Sequence, residues 1–128
     1  MCLTVKKRSC IQTAKKDIIA YKVLLSNGHN EIISPYENFK YKLSKLYRLN
    51  DSLSKECDNS IEKGYHSFVT NKGVKKELKF WYTLSCTDDF NAKVFKCIIP
   101  KGSKYYVGTY DDNKSYCSDQ IIILEELK

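Results

Sequence analysis

Apolar residues in the first third of this chain are concentrated in a segment with the composition of a β-strand. Residues 17–25 (DIIAYKVLL) are rich in β-branched and apolar side chains. They run into Ser26-Asn27-Gly28, where the Asn-Gly pair supplies the positive φ angles of a tight turn. Residues 31–34 can then return as a second strand, which Pro35 stops. The pattern therefore predicts a β-hairpin with its turn at residues 26–30.

Strands also dominate the last third of the chain. KVFKCII over residues 93–99 is the clearest strand pattern, and a Pro-Lys-Gly-Ser turn at 100–103 leads into a strand at 104–108. A second turn at 111–114 precedes one closing strand, which we predict over residues 116–124 because it ends in a buried-type run of isoleucines.

A helix is predicted between these two regions, beginning at Thr70 or Asn71 as the N-cap. An apolar stripe at positions i, i+4, i+7 and i+8 would pack on a sheet, and it consists of Val74, Leu78, Trp81 and Tyr82. The opposite face carries a set of lysines that we expect to be solvated, namely Lys72, Lys75, Lys76 and Lys79.

Residues 36–50 fit two periods. Phe39, Tyr41 and Leu43 alternate as in a strand, but Tyr36, Phe39, Leu43, Leu46 and Tyr47 recur at helical spacing, so both structures remain open. Residues 50–60 are mostly polar, and we expect a surface loop there that tolerates insertion.

The order of strands, one or two helices and strands again predicts an α+β fold with a largely antiparallel sheet. A chain of 128 residues has the length of one domain, here residues 1–128, and its 42% hydrophobic and 29% charged residues are typical of a globular protein. No apolar run is long enough to span a bilayer, and the N-terminus lacks the apolar region of a signal peptide. We therefore expect a cytoplasmic protein without a membrane partner.

The cysteines argue against a disulfide-rich or zinc-binding protein, and the type of basic residue bears on nucleic-acid binding. The six cysteines include no C-x-x-C pair, and His29 and His66 are distant from any two of them, so we expect reduced thiols and no metal site. The net charge of +7 favours an anionic partner, but only Arg8 and Arg48 among 22 basic residues are arginines. Because arginine is the usual reader of phosphate and base edges, nucleic-acid binding is an alternative and not the first hypothesis.

Two segments combine polar and aromatic residues in a way that suggests a site. GYHSF over residues 64–68 contains Tyr65, His66 and Ser67, and residues 97–106 add Lys101 and Tyr106. Together with Lys22 they are the candidate ligand-binding residues. His66 and Asp119 are the candidates for acid-base chemistry, which would require one cleft to hold both side chains.

The opening MCL, residues 14–24, SPYENFKYKLSKLY, GYHSF and CIIPKGSKYYVG resemble small proteins of bacteriophages and prophages of gut bacteria. This resemblance covers most of the chain. It implies a phage or mobile-element context, in the cytoplasm of a host cell, and it brings no reaction.

Residues 64–70, the predicted helix, residues 94–102 and residues 118–124 also resemble, in that order, the segments of the ADP-ribosyltransferase-like fold. That resemblance implies NAD or an ADP-ribose-like molecule as a ligand. It also implies an early Arg or His and a late catalytic Glu, but this chain has Tyr21 and Lys22 at the first place and Asp119-Gln120 at the second. The shorter carboxylate favours a ligand-binding or degenerate member over a working transferase.

Three hypotheses follow. The first is a non-enzymatic accessory protein of a phage, with a counter-defence role, that needs no cofactor and binds a nucleotide-like anion or a host protein. The second is a diverged NAD-dependent ADP-ribosyltransferase, and the third is a protein that binds nucleic acid through its lysines. Composition does not indicate the oligomeric state.

Overall fold

The alternating segments of the sequence become antiparallel strands of one sheet. The structure is a computed structural model that describes residues 3–6, 10–27, 31–34, 39–55, 59–61, 63–85, 90–110 and 113–127, with the backbone alone for 81–85. Within these residues the chain forms a small α+β domain with twelve strands and one helix. The sheet is largely antiparallel, as predicted.

The central pair of strands is the one with the strongest apolar pattern. Strand β3 (Ile18–Ser26) pairs along its whole length with β9 (Asn91–Ile99), from Ile18 opposite Ile99 to Ser26 opposite Asn91. Both strands carry apolar residues on both faces, because each face of this pair packs over part of its length against another layer of the fold.

The first predicted hairpin is confirmed. Strand β4 (Ile32–Ile33) pairs with β3 in antiparallel register, with Leu25 opposite Ile33. Asn27 donates its N–H to the carbonyl of Glu31 at 3.3 Å, and its side-chain oxygen accepts the N–H of Glu31 at 3.2 Å. Residues 28–30 of the predicted turn lie outside the described residues.

Residues 39–50 form strands rather than a helix, so the alternating pattern is the one that holds. Strands β5 (Lys40–Tyr41) and β6 (Leu46–Arg48) are separated by Ser44, whose φ of 61° ends any regular element there. Phe39 and Tyr47, which also had helical spacing, pack instead against Tyr41, with 4.9 Å between ring centroids for Phe39 and 5.1 Å for Tyr47. Residues 36–38 lie outside the described part.

Two expectations need correction. The predicted closing strand is two strands, β11 (Asn113–Ser118) and β12 (Gln120–Glu126), which separate at Asp119 and pair with different neighbours. The predicted loop over residues 50–60 is anchored by Leu53, which is 7% exposed and packs in the core with Cys117. Its middle, residues 56–58, is outside the described residues.

The strands fall into two groups that meet at one junction. The remaining strands are β1 (Leu3–Thr4), β2 (Gln12–Thr13), β7 (Ser60–Ile61), β8 (Tyr65–Phe68) and β10 (Lys104–Tyr110). The order across the sheet is β6-β12-β9-β3-β8-β11-β10-β1-β7, and outside this order β2 pairs with β10, β4 with β3 and β5 with β4. The first four strands and the last five are joined between β3 and β8.

Helix α1 (Asn71–Ser85) packs on one face of this sheet. Thr70 caps it as predicted, because its hydroxyl oxygen accepts the N–H of Gly73 at 3.3 Å. Val74 is fully buried against Val23, Phe68 and Val94. The predicted outer lysines are exposed, namely Lys72, Lys75, Lys76 and Lys79. Over the residues described, no helix is long and apolar enough to cross a membrane.

Candidate ligand-binding site

The junction between the two groups of strands is the feature that gathers the candidate residues. Strands β3 and β8 share one register pair among the described residues, Tyr21 opposite Phe68. Beside that pair, the ammonium group of Lys22 donates a hydrogen bond to the carbonyl oxygen of His66. A charged side chain therefore links the two strands at the position next to their single register pair.

Register determines which side chains share a face with Lys22. Tyr21 and Phe68 lie on the face that carries helix α1. Side chains alternate along a strand, so the side chains of Lys22, which follows Tyr21, and of Ser67, which precedes Phe68, lie on the opposite face. Tyr116 is directly opposite Ser67 on β11, which places it on the same face. Lys22 is partly exposed there, whereas Ser67 is 1% exposed.

Tyrosines cover the same face beyond Ser67. The rings of Tyr105 and Tyr116 meet edge to face, with 5.8 Å between their centroids. Tyr65 lies on the same face, two residues before Ser67 on β8. Burial raises the pKa of Tyr65, with a further contribution from Tyr47, and burial followed by Tyr105 raises the pKa of Tyr116. Both hydroxyls therefore stay protonated at neutral pH and can donate hydrogen bonds to an anion.

Two buried thiols, those of Cys97 and Cys117, have pKa values that burial and the charge of Lys22 affect. Desolvation raises the pKa of Cys97 and of Cys117 to about 12 each, and the ammonium of Lys22 partly opposes that rise in both. At neutral pH both sulfurs are protonated, so neither is a nucleophile. Cys10, Cys97 and Cys117 form no disulfide within the described part of the chain, and the other cysteines lie outside it.

His66 faces the other way from Lys22. It is paired with Cys117 across β8 and β11, its Nε2 lies 3.9 Å from the sulfur of Cys117, and it is 8% exposed. The imidazole thus belongs to the layer that carries the helix, whereas the carbonyl of the same residue points to Lys22. His66 contributes its backbone to the site.

Asp119 has a different set of partners from His66. Its carboxylate accepts the N–H of Lys104 at 2.9 Å, its own N–H donates to the carbonyl of Lys104 at 3.0 Å, and its carbonyl accepts the N–H of Leu49 at 2.8 Å. These bonds hold the break between β11 and β12. The structure directs the imidazole and the carboxylate, which we expected in one cleft, to separate partners.

Lys101 and Tyr106 also lie apart from Lys22. Lys101 is exposed in the turn after β9, where its N–H donates to the carboxylate of Asp17 at 2.8 Å. Asp17 precedes β3, five positions from Lys22, which corresponds to about 17 Å along a strand. Tyr106 is 8% exposed and packs with Leu3, Ile61 and Cys117 in the core. Neither side chain faces the junction.

The structure therefore brings Lys22, Tyr65, Ser67 and the backbone of His66 together, and it adds Tyr105 and Tyr116. That Tyr105 and Tyr116 share a face with Tyr65 follows from the pairing of β8, β11 and β10. Alternation in the GYHSF segment was the available signal that His66 and Ser67 point in opposite directions.

Comparisons of the chain with protein-family models, curated proteins and solved structures find no match. Among the described residues, no group of three or more His, Cys, Asp and Glu side chains could hold a metal ion. The site is therefore described by its own chemistry, which is one ammonium group, protonated tyrosines and a buried hydroxyl beside two strands that meet at a single pair.

Proposed function

We propose that this chain binds a small, nucleotide-like anion at the junction of β3 and β8 and does not transform it. The observation that carries the proposal is the position of Lys22, whose ammonium crosses from one group of strands to the other. A phosphate is the natural partner of such a group, because a charge-assisted hydrogen bond is stronger than the bond to a neutral carbonyl.

The surrounding side chains suit the rest of a nucleotide. Tyr65, Tyr105 and Tyr116 are half-buried, so each can offer an aromatic face to a base or sugar. The protonated hydroxyls of Tyr65 and Tyr116 can also donate to an oxygen. The hydroxyl of Ser67 is buried and has no hydrogen-bond partner among the described residues, so it can bond to a ligand that enters the junction.

The chemistry of the site favours binding over turnover. The thiols of Cys97 and Cys117 are protonated, and the carboxylate of Asp119 bonds to the backbone of Lys104. In the phage or mobile-element context that the sequence resemblance implies, sequestration of a host nucleotide signal would be a counter-defence role. A diverged ADP-ribosyltransferase and a lysine-mediated nucleic-acid-binding protein are the alternatives that the experiments must separate from it.

Calorimetry tests the proposal with AMP, ADP-ribose and a cyclic dinucleotide, and with adenosine as the uncharged probe. We expect at least one of the three anions to bind, and adenosine to bind much less. Lys22→Met should weaken that binding about ten- to hundredfold, which is the worth of roughly 1.5–3 kcal/mol for a hydrogen bond to a charged group. Methionine keeps the length of the side chain and removes the charge.

Lys96→Met is the matched control, because Lys96 is also half-buried on β9 but lies opposite Tyr21, on the other face. It should leave nucleotide affinity unchanged. Equal losses in the two variants, or no binding of any of the three anions, would contradict the proposal. Release of nicotinamide from NAD would favour the transferase, and DNA binding that falls steeply with salt would favour the nucleic-acid hypothesis.

A further inference from the structure

An apolar row crosses four neighbouring strands on the face that carries the helix. Leu46 on β6 is directly opposite Ile122 on β12, Ile122 is opposite Ile98 on β9, and Ile98 is opposite Ile19 on β3. Directly opposite residues have Cβ atoms about 5 Å apart, so the four side chains form one continuous strip. This strip, Leu46-Ile122-Ile98-Ile19, is here called the isoleucine row.

Helix α1 stops short of covering this row. It packs where Val23, Leu25 and Val94 are buried, whereas Ile19 lies further along β3 and is 41% exposed. Leu46, at the other end of the row, is 42% exposed, and Ile98 and Ile122 are partly exposed. Scattered exposed aliphatic residues need no explanation, but a contiguous strip of them is typical of an interaction surface.

One border of the row is basic. Gly102 donates its N–H to the carbonyl of Ala14 at 2.8 Å, and this bond holds the turn before β3 against the turn after β9. Three exposed lysines lie on these two turns, namely Lys15, Lys16 and Lys101. Arg48, exposed on β6, stands at the Leu46 end. Asp17 and Asp119 also lie at this end of the strands, and each carboxylate accepts a backbone N–H, Asp17 from Lys101 at 2.8 Å and Asp119 from Lys104 at 2.9 Å.

The opposite border is close to neutral. Lys96 on β9 is directly opposite Glu125 on β12, so their charges offset one another. Tyr21 continues this border on β3 beside Lys96. The row therefore has a positive side and a neutral side, and a complementary partner must carry apolar residues with acidic residues along one edge.

We propose that the isoleucine row with its basic border is the docking surface for an acidic, amphipathic segment of another protein. A second copy of this chain would bring two basic borders and a charge of +7 on each molecule together. Nucleic acid offers the row no apolar partner. A membrane surface is favoured by exposed aromatic anchors, which the row lacks. This surface is on the face opposite the tyrosines, so its test is independent of nucleotide binding.

Selection of binders from a library of random displayed peptides tests the proposal without a known partner. The parent protein is the bait, and the counter-bait is a double variant that carries Ile19→Ser and Ile98→Ser. We expect the enriched peptides to combine Asp or Glu with Leu, Ile or Phe, and to bind the counter-bait about tenfold more weakly or worse, because each serine removes apolar contact area.

Two matched controls separate the row from general stickiness and general charge. Ile11 is also 41% exposed and is not part of the row, so Ile11→Ser should leave peptide affinity unchanged. Lys15→Ser with Lys16→Ser should weaken binding, whereas Lys72→Ser with Lys75→Ser, which removes the same charge from the helix, should not. Circular dichroism of each variant confirms that it is folded.

Several results would overturn the proposal. Enrichment of neutral or basic peptides would contradict it. Equal binding of the enriched peptides to the parent and to the variant that carries both Ile19→Ser and Ile98→Ser would also contradict it. Dimerisation in ultracentrifugation that the same substitutions abolish would assign the row to a second copy. Binding to anionic vesicles that depends on Ile19 and Ile98 would assign it to a membrane surface.

Discussion

Replacing Asp119 with alanine separates a structural carboxylate from a catalytic one. The side chain accepts one hydrogen bond, from the N–H of Lys104 at 2.9 Å, at the break between β11 and β12. The two backbone bonds of Asp119, to Lys104 and from Leu49, do not depend on the side chain. The variant therefore loses one partly exposed hydrogen bond and keeps the local backbone pairing.

The expected loss is about 1 kcal/mol in the free energy of unfolding, within the usual net worth of roughly 0.5–1.5 kcal/mol for one intramolecular hydrogen bond. For a chain of this length that corresponds to a fall of about 4 °C in Tm. Asp119→Asn is the matched control, because its amide oxygen can still accept from Lys104. It should recover most of the lost stability.

Urea unfolding of the three proteins measures the stability, and nicotinamide release from NAD measures any turnover. We expect the stability order parent, Asn variant, Ala variant, and no nicotinamide release above background from any of them. A parent that releases nicotinamide, with both variants inactive and equally stable, would refute the structural role of Asp119 and favour the diverged transferase.

Three further predictions rest on other parts of the fold. Gly64→Ala should destabilise the protein by about 2 kcal/mol or more in urea unfolding. The reason is that Gly64 has a φ of 132° and that a Cβ there would lie 2.5 Å from the sulfur of Cys117. An unchanged free energy of unfolding would show that β8 shifts to make room for the added methyl group. Alkaline pH should destabilise the fold, because folding raises the pKa of Cys97 and of Cys117 from 9.0 to about 12. The two protonated thiols contribute fully to the free energy of unfolding below pH 9, and this contribution is lost between pH 9 and about 12. Cys117→Ala should flatten that fall in a pH series of urea midpoints, and an unchanged slope would contradict it. Thr70→Ala should cost about 1 kcal/mol through loss of the cap on Gly73, and Thr70→Ser should not; equal thermal shifts in the two variants would count against the cap.

Local signals were sufficient for much of the fold. The hairpin around Asn27, the helix beginning after Thr70 and the strand at residues 91–99 follow from turn chemistry, capping and alternation, which act over a few residues. The single closing strand was predicted wrongly because residues 116–124 contain no Gly or Pro to mark a break at Asp119, and only the pairing of β11 with β8 and of β12 with β9 shows it.

The candidate site likewise has features that the local sequence indicated and contacts that only the tertiary structure shows. Alternation within GYHSF, which is local, already implied that Ser67 and His66 point to opposite faces. The sequence alone also supplied the α+β class, the basic charge and the polar residues worth testing. Only the tertiary structure decided that Lys22 reaches the backbone of His66, that Tyr106 is buried, and that Asp119 bonds to Lys104. These contacts join residues far apart in the chain, and they depend on strand order and register, which no short-range periodicity encodes.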